Sequence, residues 1–452
     1  MTAALSIARN TFIESLRQPT IFVVVLVCGL LQYLTTAATG YSMGYRIYAD
    51  GEVTGDDKML LDVGMATVFV GGIILASFIA TAALTREIDN KTVLTVVSKP
   101  IGRPSVVFGK FIGVTGAMAI ASVILITQLL FAIRHGVMTT AADIIDWPAI
   151  LFGAGSFALA GVFAAFVNFM YNWSFNQTFT LTLLPLHVGA YVLTLVFSDE
   201  WAMQPITTDL KPQILMACAA LGGALMVVTG VAVAASTRLG QVMTIVACAG
   251  VFVTGLLSNH LLGKRAFQND AFATIDEIVY ERDDDVGLLD PGDEAVLTTE
   301  APHEITLEIG MPIYFGPSPN GLGIAVPRFD PPGPDVDLEN DLFPPEVPPA
   351  LVITEVVGKD IRVKHVGGSP LDLRRAPEVG DFLFIQPTTL NPVFASVWAV
   401  VPNMHAFWLV DAVTQAAPIP LSHLGLIVVY ALAQVGACLA IAVILFEGRD
   451  VG

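Results

Sequence analysis

Eight stretches of the chain are apolar over about 18–24 residues each, separated by polar segments of very unequal length. They fall at roughly 20–38, 64–83, 112–132, 149–170, 178–198, 214–235, 241–258 and 423–446. A hydrocarbon core about 30 Å thick takes roughly 20 helical residues to cross, so each stretch predicts a membrane-spanning helix. The expected fold is an all-α polytopic membrane protein of about eight transmembrane helices. Spans 1–7 form a bundle over residues 20–258, and a last helix at 422–446 is followed by a short tail at 447–452. Ahead of the first span, Leu5, Ala8, Phe12, Ile13 and Leu16 share one helical face, with Asn10, Glu14, Arg17 and Gln18 largely elsewhere. Ile7 and Arg9 interrupt the pattern. Residues 1–19 therefore predict an amphipathic elbow helix at the membrane surface, broken by Pro19. The same pattern suits an element that moves with a partner or a plain surface anchor. The first apolar run is long enough to span, which reads as a signal anchor and not as a cleaved peptide.

The longest polar segment, 259–421, interrupts the helical pattern with an insertion of three textures. Residues 266–310 are acidic, with ERDDD at 281–285, and eight prolines crowd residues 327–349. The stretch 266–349 is thus expected to be an acidic, proline-rich tether, in part polyproline II. Residues 350–387 alternate apolar and polar positions, with turn signals at Gly358–Lys359 and Gly367–Gly368, and predict a small antiparallel β-unit. Residues 388–421 return the chain to the membrane.

Composition sharpens this division. The chain is 54% hydrophobic and 14% charged, with a mean hydropathy of +0.70; soluble domains carry about 25% charged residues. Of the charged residues, 24 acidic and 7 basic ones lie between residues 266 and 390, so this one segment sets nearly all of the net charge of −18. Cys28, Cys218, Cys248 and Cys438 each fall in an apolar run and read as small packing residues. His303, His365 and His405 are scattered, and ERDDDVGLLDPGDE lacks the spacing of a calcium loop, so no metal site is predicted. The basic residues of the β-unit, Arg362, Lys364, His365, Arg374 and Arg375, suit an anionic partner or the acidic stretch before them. Gly71–Gly72, Gly153 with Gly155, and Gly222–Gly223 suit close helix packing.

Lysine and arginine near the span ends set orientation. With the N-terminus inside, nine of them fall on the cytoplasmic side and six on the other, and the loop at 84–111 alone contributes five. Both termini are therefore expected in the cytoplasm, and 259–421 outside it.

That loop, TREIDNKTVLTVVSKPIGRPSVVFGKF over 85–111, is the most polar segment between two spans. A nucleotide-binding loop of the form GxxxxGK[ST] would need four residues between its glycines and a hydroxyl after the lysine. Here six residues lie between Gly102 and Gly109 and Phe111 follows Lys110, so the chain is not expected to hydrolyse nucleotide. No Ser-His-Asp or paired-carboxylate arrangement stands out either, and nothing points to nucleic acid. Residues from Thr85 to Val97 suit a short helix that SKP ends. It could be a docking element that takes a push from a soluble partner, or a solvated connector whose charges set topology.

The loop resembles the first intracellular loop of ABC-2 type transporter permeases, in which a Glu, a Thr, a Pro and an Arg occur in that order with GK before the next span. Glu87, Thr92, Pro100, Arg103, Gly109 and Lys110 fit that order. IARNTFIESLRQP before the first span, STRLGQVMTIV at 236–246, VPNMHAFWLVDAV at 401–413 and the ending LFEGRDVG are similar to bacterial members. The resemblance implies a permease subunit in the inner membrane, paired with a second permease in a homo- or heterodimer and with separate ATPase subunits that bind ATP and magnesium. This chain would then bind no cofactor itself. Within 84–111, the resemblance implies a coupling helix. Arg86, Glu87, Lys91 and Arg103 would touch the ATPase, beside Thr92 and Lys110, with Pro100 and Gly109 shaping the turn back into the membrane. Eight spans and the insertion depart from the six-span pattern usual in the family.

Inside the membrane His187, near the middle of the fifth span, is the ionisable residue that stands out. It suits a structural histidine bonded to a carbonyl freed by Pro185, or a substrate-path role. The absence of acids well inside a span counts against an ion-coupled secondary transporter. A membrane anchor or sensor that uses the outer segment is the main alternative to an exporter.

Overall fold

A computed structural model describes residues 2–38, 55–89, 102–138, 145–268, 271–280, 288, 290–302, 306–317, 329, 336–338, 344, 346–371, 373, 375–385, 389–414 and 419–447. The chain divides into two units, Met1–Leu256 with Pro402–Gly452, and Leu257–Val401.

The first unit is a helix bundle. Its helices are α1 (Thr2–Leu16), α2 (Pro19–Ala38), α3 (Gly55–Asp89), α4 (Arg103–His135), α5 (Trp147–Tyr171), α6 (Phe175–Val196), α7 (Pro212–Ser236) and α8 (Gln241–Ser258). After α9 (Pro392–Val400), which belongs to the second unit, come α10 (Val410–Thr414) and α11 (Leu421–Glu447). Eight helices among the described residues are long and apolar enough to cross a membrane, and each contains most of one of the eight expected spans, the ends differing by up to eight residues: α2 to α7, α11, and α8 with its helical continuation to Ala266. Prolines punctuate the starts. Pro19, Pro104, Pro148 and Pro212 sit in first turns, where a missing N–H costs no intrahelical bond.

The helices α3, α4 and α7 form the centre of the bundle and bury most of their side chains, whereas the other spans bury fewer than half of theirs. In lipid there is no hydrophobic drive for apolar helices to associate, so small residues that permit close approach decide which helices pack centrally. The middle of α7 supplies Ala217, Ala220, Leu221, Ala224 and Val228, all buried. Leu225 of α7 fills the space that a side chain on Gly72 of α3 would need, and Cys28 of α2 lies against Gly71. Gly153 and Gly223 also face neighbours, but Gly155 and Gly222 have open space beside them. All four cysteines are buried and free. The segment 401–413 does not simply return along the surface. Met404, Phe407, Val410 and Val413 are buried in the bundle's core, and the ring of His405 bonds to the carbonyl of Leu256 at 2.7 Å.

The second unit is built on strands. The helix of α8 continues through a π-turn (Asn259–Gly263) and one α-turn (Lys264–Ala266) into β1 (Phe267–Gln268). Then follow β2 (Ala271–Tyr280), β3 (Glu294–Thr299), β4 (Tyr314–Gly316), β5 (Ala350–Val357), β6 (Asp360–Val366), β7 (Phe382–Phe384) and β8 (Thr389–Leu390). The sheet order is β4-β7-β2-β3-β6-β5, antiparallel throughout. The residues just before β4 lie along β5. Gly310 N–H donates to Ile353 O at 2.7 Å, Ile353 N–H to Met311 O at 3.0 Å and Ile313 N–H to Leu351 O at 2.9 Å. The stretch 310–316 thus pairs with β5 through its first half and with β7 through its second, which closes the sheet into a small barrel. The strand β2 changes partner in the same way, from β7 at Ala271–Thr274 to β3 at Ile275–Tyr280, with register shifts at Ala271/Ala273 and Ile275/Glu277. Such bulges bend a strand enough to turn a barrel corner. Ile275, Leu297, Phe315, Leu351, Ile353, Ile361, Val363 and Leu383 fill the interior.

Four of these strands, β1 to β4, come from 266–349, which the sequence presents as a tether. A strand needs only one apolar face, and here acids occupy the other: Asp276 and Glu277 are exposed while Ile275 is buried. The ERDDD run at 281–285 lies outside the described residues. The proline-rich stretch is not all open linker. Phe329, Val336, Leu338 and Val347 pack on Ala350, Val352 and Val366. The basic β-unit turns back on the acidic stretch, with Lys364 Nζ 2.8 Å from Glu294 Oε1 and Arg362 3.8 Å from its other oxygen; Arg375 pairs with Asp381. Arg374 is among the residues not described.

Because the barrel has its own core, its unfolding is expected to leave the bundle intact. Leu383→Ala removes a fully buried side chain and should cost about 2–5 kcal/mol of barrel stability. Hydrogen exchange on the full chain should then show faster exchange in β2, β3 and β6, with α3, α4 and α7 unchanged.

Candidate functional site

The loop 84–111 is carried on two long helices. α3 has 35 residues and α4 has 33, which at 1.5 Å per residue is about 50 Å, well beyond a hydrocarbon core of about 30 Å. α3 runs on past its apolar stretch to Asp89, and α4 starts at Arg103, before its own. Arg86 and Glu87 fall in the last turn of α3, and Arg103 is the first residue of α4. Lys91, Thr92 and Pro100 lie outside the described residues.

Gly109 and Lys110 are not at a turn. Both are buried inside α4, and each holds a neighbouring helix. Gly109, Gly113 and Gly116 line one face of α4, and α1 lies along it. A β-carbon on Gly109 would come within 2.7 Å of Ala4 O and 3.0 Å of Ile7 Cβ. On Gly113 it would come within 2.6 Å of Ala8 O, and on Gly116 within 3.1 Å of the Phe12 ring. The two helices therefore run parallel with backbones in near contact, in the manner of small-residue helix pairs. The packed face of α1 is Ala4, Ile7, Ala8, Thr11 and Ser15, and Leu5, expected on that face, is 69% exposed. Ser15 bonds its own helix at Thr11 O, 2.7 Å, so its hydroxyl costs nothing in the contact. Lys110 reaches the other way, and its Nζ donates to Ala83 O in α3 at 2.5 Å.

Two further cations fasten the same end of the bundle. Arg17 Nε donates to Gln177 Oε1 at 3.0 Å, while Asn176 Nδ2 donates to Arg17 O at 3.2 Å, which ties the α1–α2 junction to the first turn of α6. Arg238 Nε donates to Leu445 O at 2.9 Å and so joins the end of α7 to the last turn of α11.

At the far end of α4 sits a group that spacing along the chain did not mark as a site. Arg134 is 2.6 Å from Asp146 and 3.0 Å from Asp209, and it donates to Phe197 O at 3.3 Å. Asp146 also caps α5, accepting from Ala149 N at 3.0 Å. Arg134, Asp146 and Asp209 lie 12 and 63 residues from one another along the chain, so only the fold brings them together. A charge buried to this extent is tolerated when paired and strongly destabilising when its partner is lost.

His187 is fully buried, between Phe131 and Phe157 with ring centroids 4.9 and 5.1 Å away. Its partner is Ser156 of α5, Nδ1 to Oγ at 2.7 Å, and not the carbonyl that Pro185 frees. The Ser156 hydroxyl donates to Gly153 O at 2.7 Å. Its one proton is thereby used, so the imidazole donates through Nδ1–H. Nε2 has no hydrogen-bond partner among the described residues. No cluster of His, Cys, Asp or Glu able to hold a metal occurs among the described residues.

Residues 5–171 match the family model described as ABC-2 family transporter protein. That range runs from α1 to the last residue of α5 and includes the whole 84–111 loop with both helices that carry it. Eight long apolar helices make the chain a multi-pass membrane protein, and its likeness to the ABC-2 transporter family lies in residues 5–171. No curated protein and no solved structure matches the chain.

The glycine face generates a sharp test. Gly113→Ala places a methyl against a backbone oxygen that cannot move alone, an overpacking expected to cost about 1–3 kcal/mol. Amides of residues 4–16 should exchange at least several-fold faster in that variant. Gly161→Ala, where open space surrounds the site, should leave them unchanged.

Proposed function

We propose that this chain is the permease subunit of an ATP-driven exporter in the cytoplasmic membrane, with both termini and the 84–111 loop in the cytoplasm. It works as a dimer with a second permease, identical or not, and draws its energy from separate ATPase subunits that bind ATP and magnesium. The observation that carries this reading is the family match over the segment that contains the loop and its two supporting helices.

The geometry supports a mechanical role for that segment. A nucleotide-driven change in a partner alters the membrane unit only if the partner binds its two states unequally. A loop on two helices that pass beyond the hydrocarbon core is well placed to carry that difference inward. On this reading Arg86, Glu87, Lys91 and Arg103 contact the ATPase and Thr92 lies among them, with Pro100 ending the coupling helix. Gly109 and Lys110 act behind the contact, by locking α1 and α3 to the base of α4 so that the three helices move together. His187 holds α5 to α6 through Ser156.

Charge reversal of the pair, Arg86→Glu with Glu87→Arg, should lower transport and transport-coupled ATP hydrolysis at least tenfold. Membrane insertion and permease dimerisation should stay intact. Unchanged coupling in that variant would overturn the assignment of the loop.

A second reading is a non-transporting anchor or sensor built around the barrel, and the barrel's self-contained core favours keeping it in view. The barrel's two ends meet. Phe267 pairs with Leu390, and Asn391 N–H donates to Ala266 O at 2.8 Å. Replacing residues 268–389 by a short flexible linker should therefore leave a folded bundle. Retained ATPase pairing and transport after excision would support the exporter with an accessory barrel. Loss of every measurable activity, with no ATPase recovered alongside the full-length chain, would favour the sensor.

A further inference from the structure

The helix α9 buries none of its residues, although its sequence PVFASVWAV carries no charge. Val393, Val397 and Val400 are 68%, 47% and 72% exposed. At spacings of four and three they form one stripe along the helix. The polar groups of α9 that face outward are settled locally. Ser396 Oγ donates to Pro392 O at 2.7 Å, and the Asn391 side chain accepts from Val393 N at 3.1 Å. An uncharged helix with capped ends and an open valine stripe is out of place in water. The barrel does not use it, because the barrel's interior is filled by other residues.

Its surroundings indicate what covers it. α9 packs on residues 259–266, the final turns of the helix that crosses the membrane from Gln241 to Ala266. That crossing helix leaves Leu257 and Leu261 about half exposed in the same region. The exposed Lys264 and Arg265 lie in its last turn, and the Arg265 guanidinium stands 5.7 Å over the Phe394 ring. Apolar stripe, aromatic rings and adjoining cations are the elements of an interfacial helix, with rings and cations at headgroup depth and the stripe among acyl chains. Charge points the same way. The segment 266–390 holds 24 acidic and 7 basic residues, so anionic headgroups repel the barrel, and attachment has to come from an uncharged surface.

We propose that α9 is a lipid-surface anchor. It lies in the plane of the leaflet reached by the end of α8, with Val393, Val397 and Val400 toward the acyl chains and Lys264 and Arg265 among the phosphates. It holds the neck of the barrel at the bilayer. This goes beyond the transporter reading and requires only that Gln241–Ala266 crosses the membrane.

The test uses the full chain in vesicles of three parts phosphatidylcholine to one part phosphatidylglycerol. Single cysteines replace Val393, Val397, Val400 and, as an aqueous control, Val357 of β5, which is 61% exposed. The native cysteines are all buried. A nitroxide on each site is probed by collision with oxygen, which concentrates in lipid, and with a water-soluble nickel chelate. Oxygen collisions exceeding nickel collisions several-fold at 393, 397 and 400, with the reverse at 357, is the expected result. Water-like collision ratios at 397 and 400 overturn the proposal. So does protection from both probes, which would mean that protein, whether a second copy or a partner, covers the stripe.

Discussion

The near contact of α1 and α4 backbones over Gly109, Gly113 and Gly116 is the constraint on which the loop end of the bundle depends. Apolar side chains gain nothing by leaving lipid for another apolar helix, so two helices hold together there through close van der Waals fit. Three glycines in register with Ala4, Ile7, Ala8, Thr11 and Phe12 provide that fit, and each added methyl would remove it. The contact runs through the part of α4 that lies between the loop and the centre of the bundle. Displacement of the loop must therefore be shared by α1, and through Lys110 by α3. An elbow helix of this kind is a splint along α4 more than a float on the membrane surface.

The two ends of α4 handle buried positive charge by different means. Lys110 sits among helices with its ammonium on a backbone carbonyl of α3, whereas Arg134 sits between two carboxylates and a third acceptor. Intramembrane charges are costly and are found paired or bonded to carbonyls. A lysine on a carbonyl ties one helix to one neighbour. The planar guanidinium of Arg134 gathers three segments at once: the end of α4, the cap of α5 and the turn before α7. The helix most buried in the bundle is in this way pinned at both ends, and the polar bonds supply a register that apolar packing alone does not specify.

Much of this was legible from residue order. Eight apolar runs gave the spans, because length and hydropathy are nearly sufficient for a helix in lipid. Pro19 marked the start of the first span, and four apolar cysteines marked packing positions. What was not legible depended on small residues and on distance along the chain. The face of α1 is set by glycines a hundred residues away, so a rule that seeks large apolar side chains chose Leu5, which is exposed. The partner of His187 is Ser156 on the preceding helix, which no local rule connects to it. In the insertion, acids at Asp276, Glu277 and Glu294 hid the alternation of two strands, since composition averaged over both faces of a strand conceals the buried one.

Barrel closure bears on what the insertion can do. An open antiparallel sheet offers free N–H and C=O groups along its edges, and added strands bind there. Here residues 310–313 occupy that position along the first half of β5, and β4 continues the same stretch onto β7. Among the described residues, the part of this edge left open is the end of β5, beyond the bulge at Ile353/Glu355. Among the charged side chains of this unit carboxylates dominate, 24 acidic against 7 basic residues over 266–390. Its attachment is equally restricted. The two-residue ladder of β1 and β8 joins the ends of the insertion to each other.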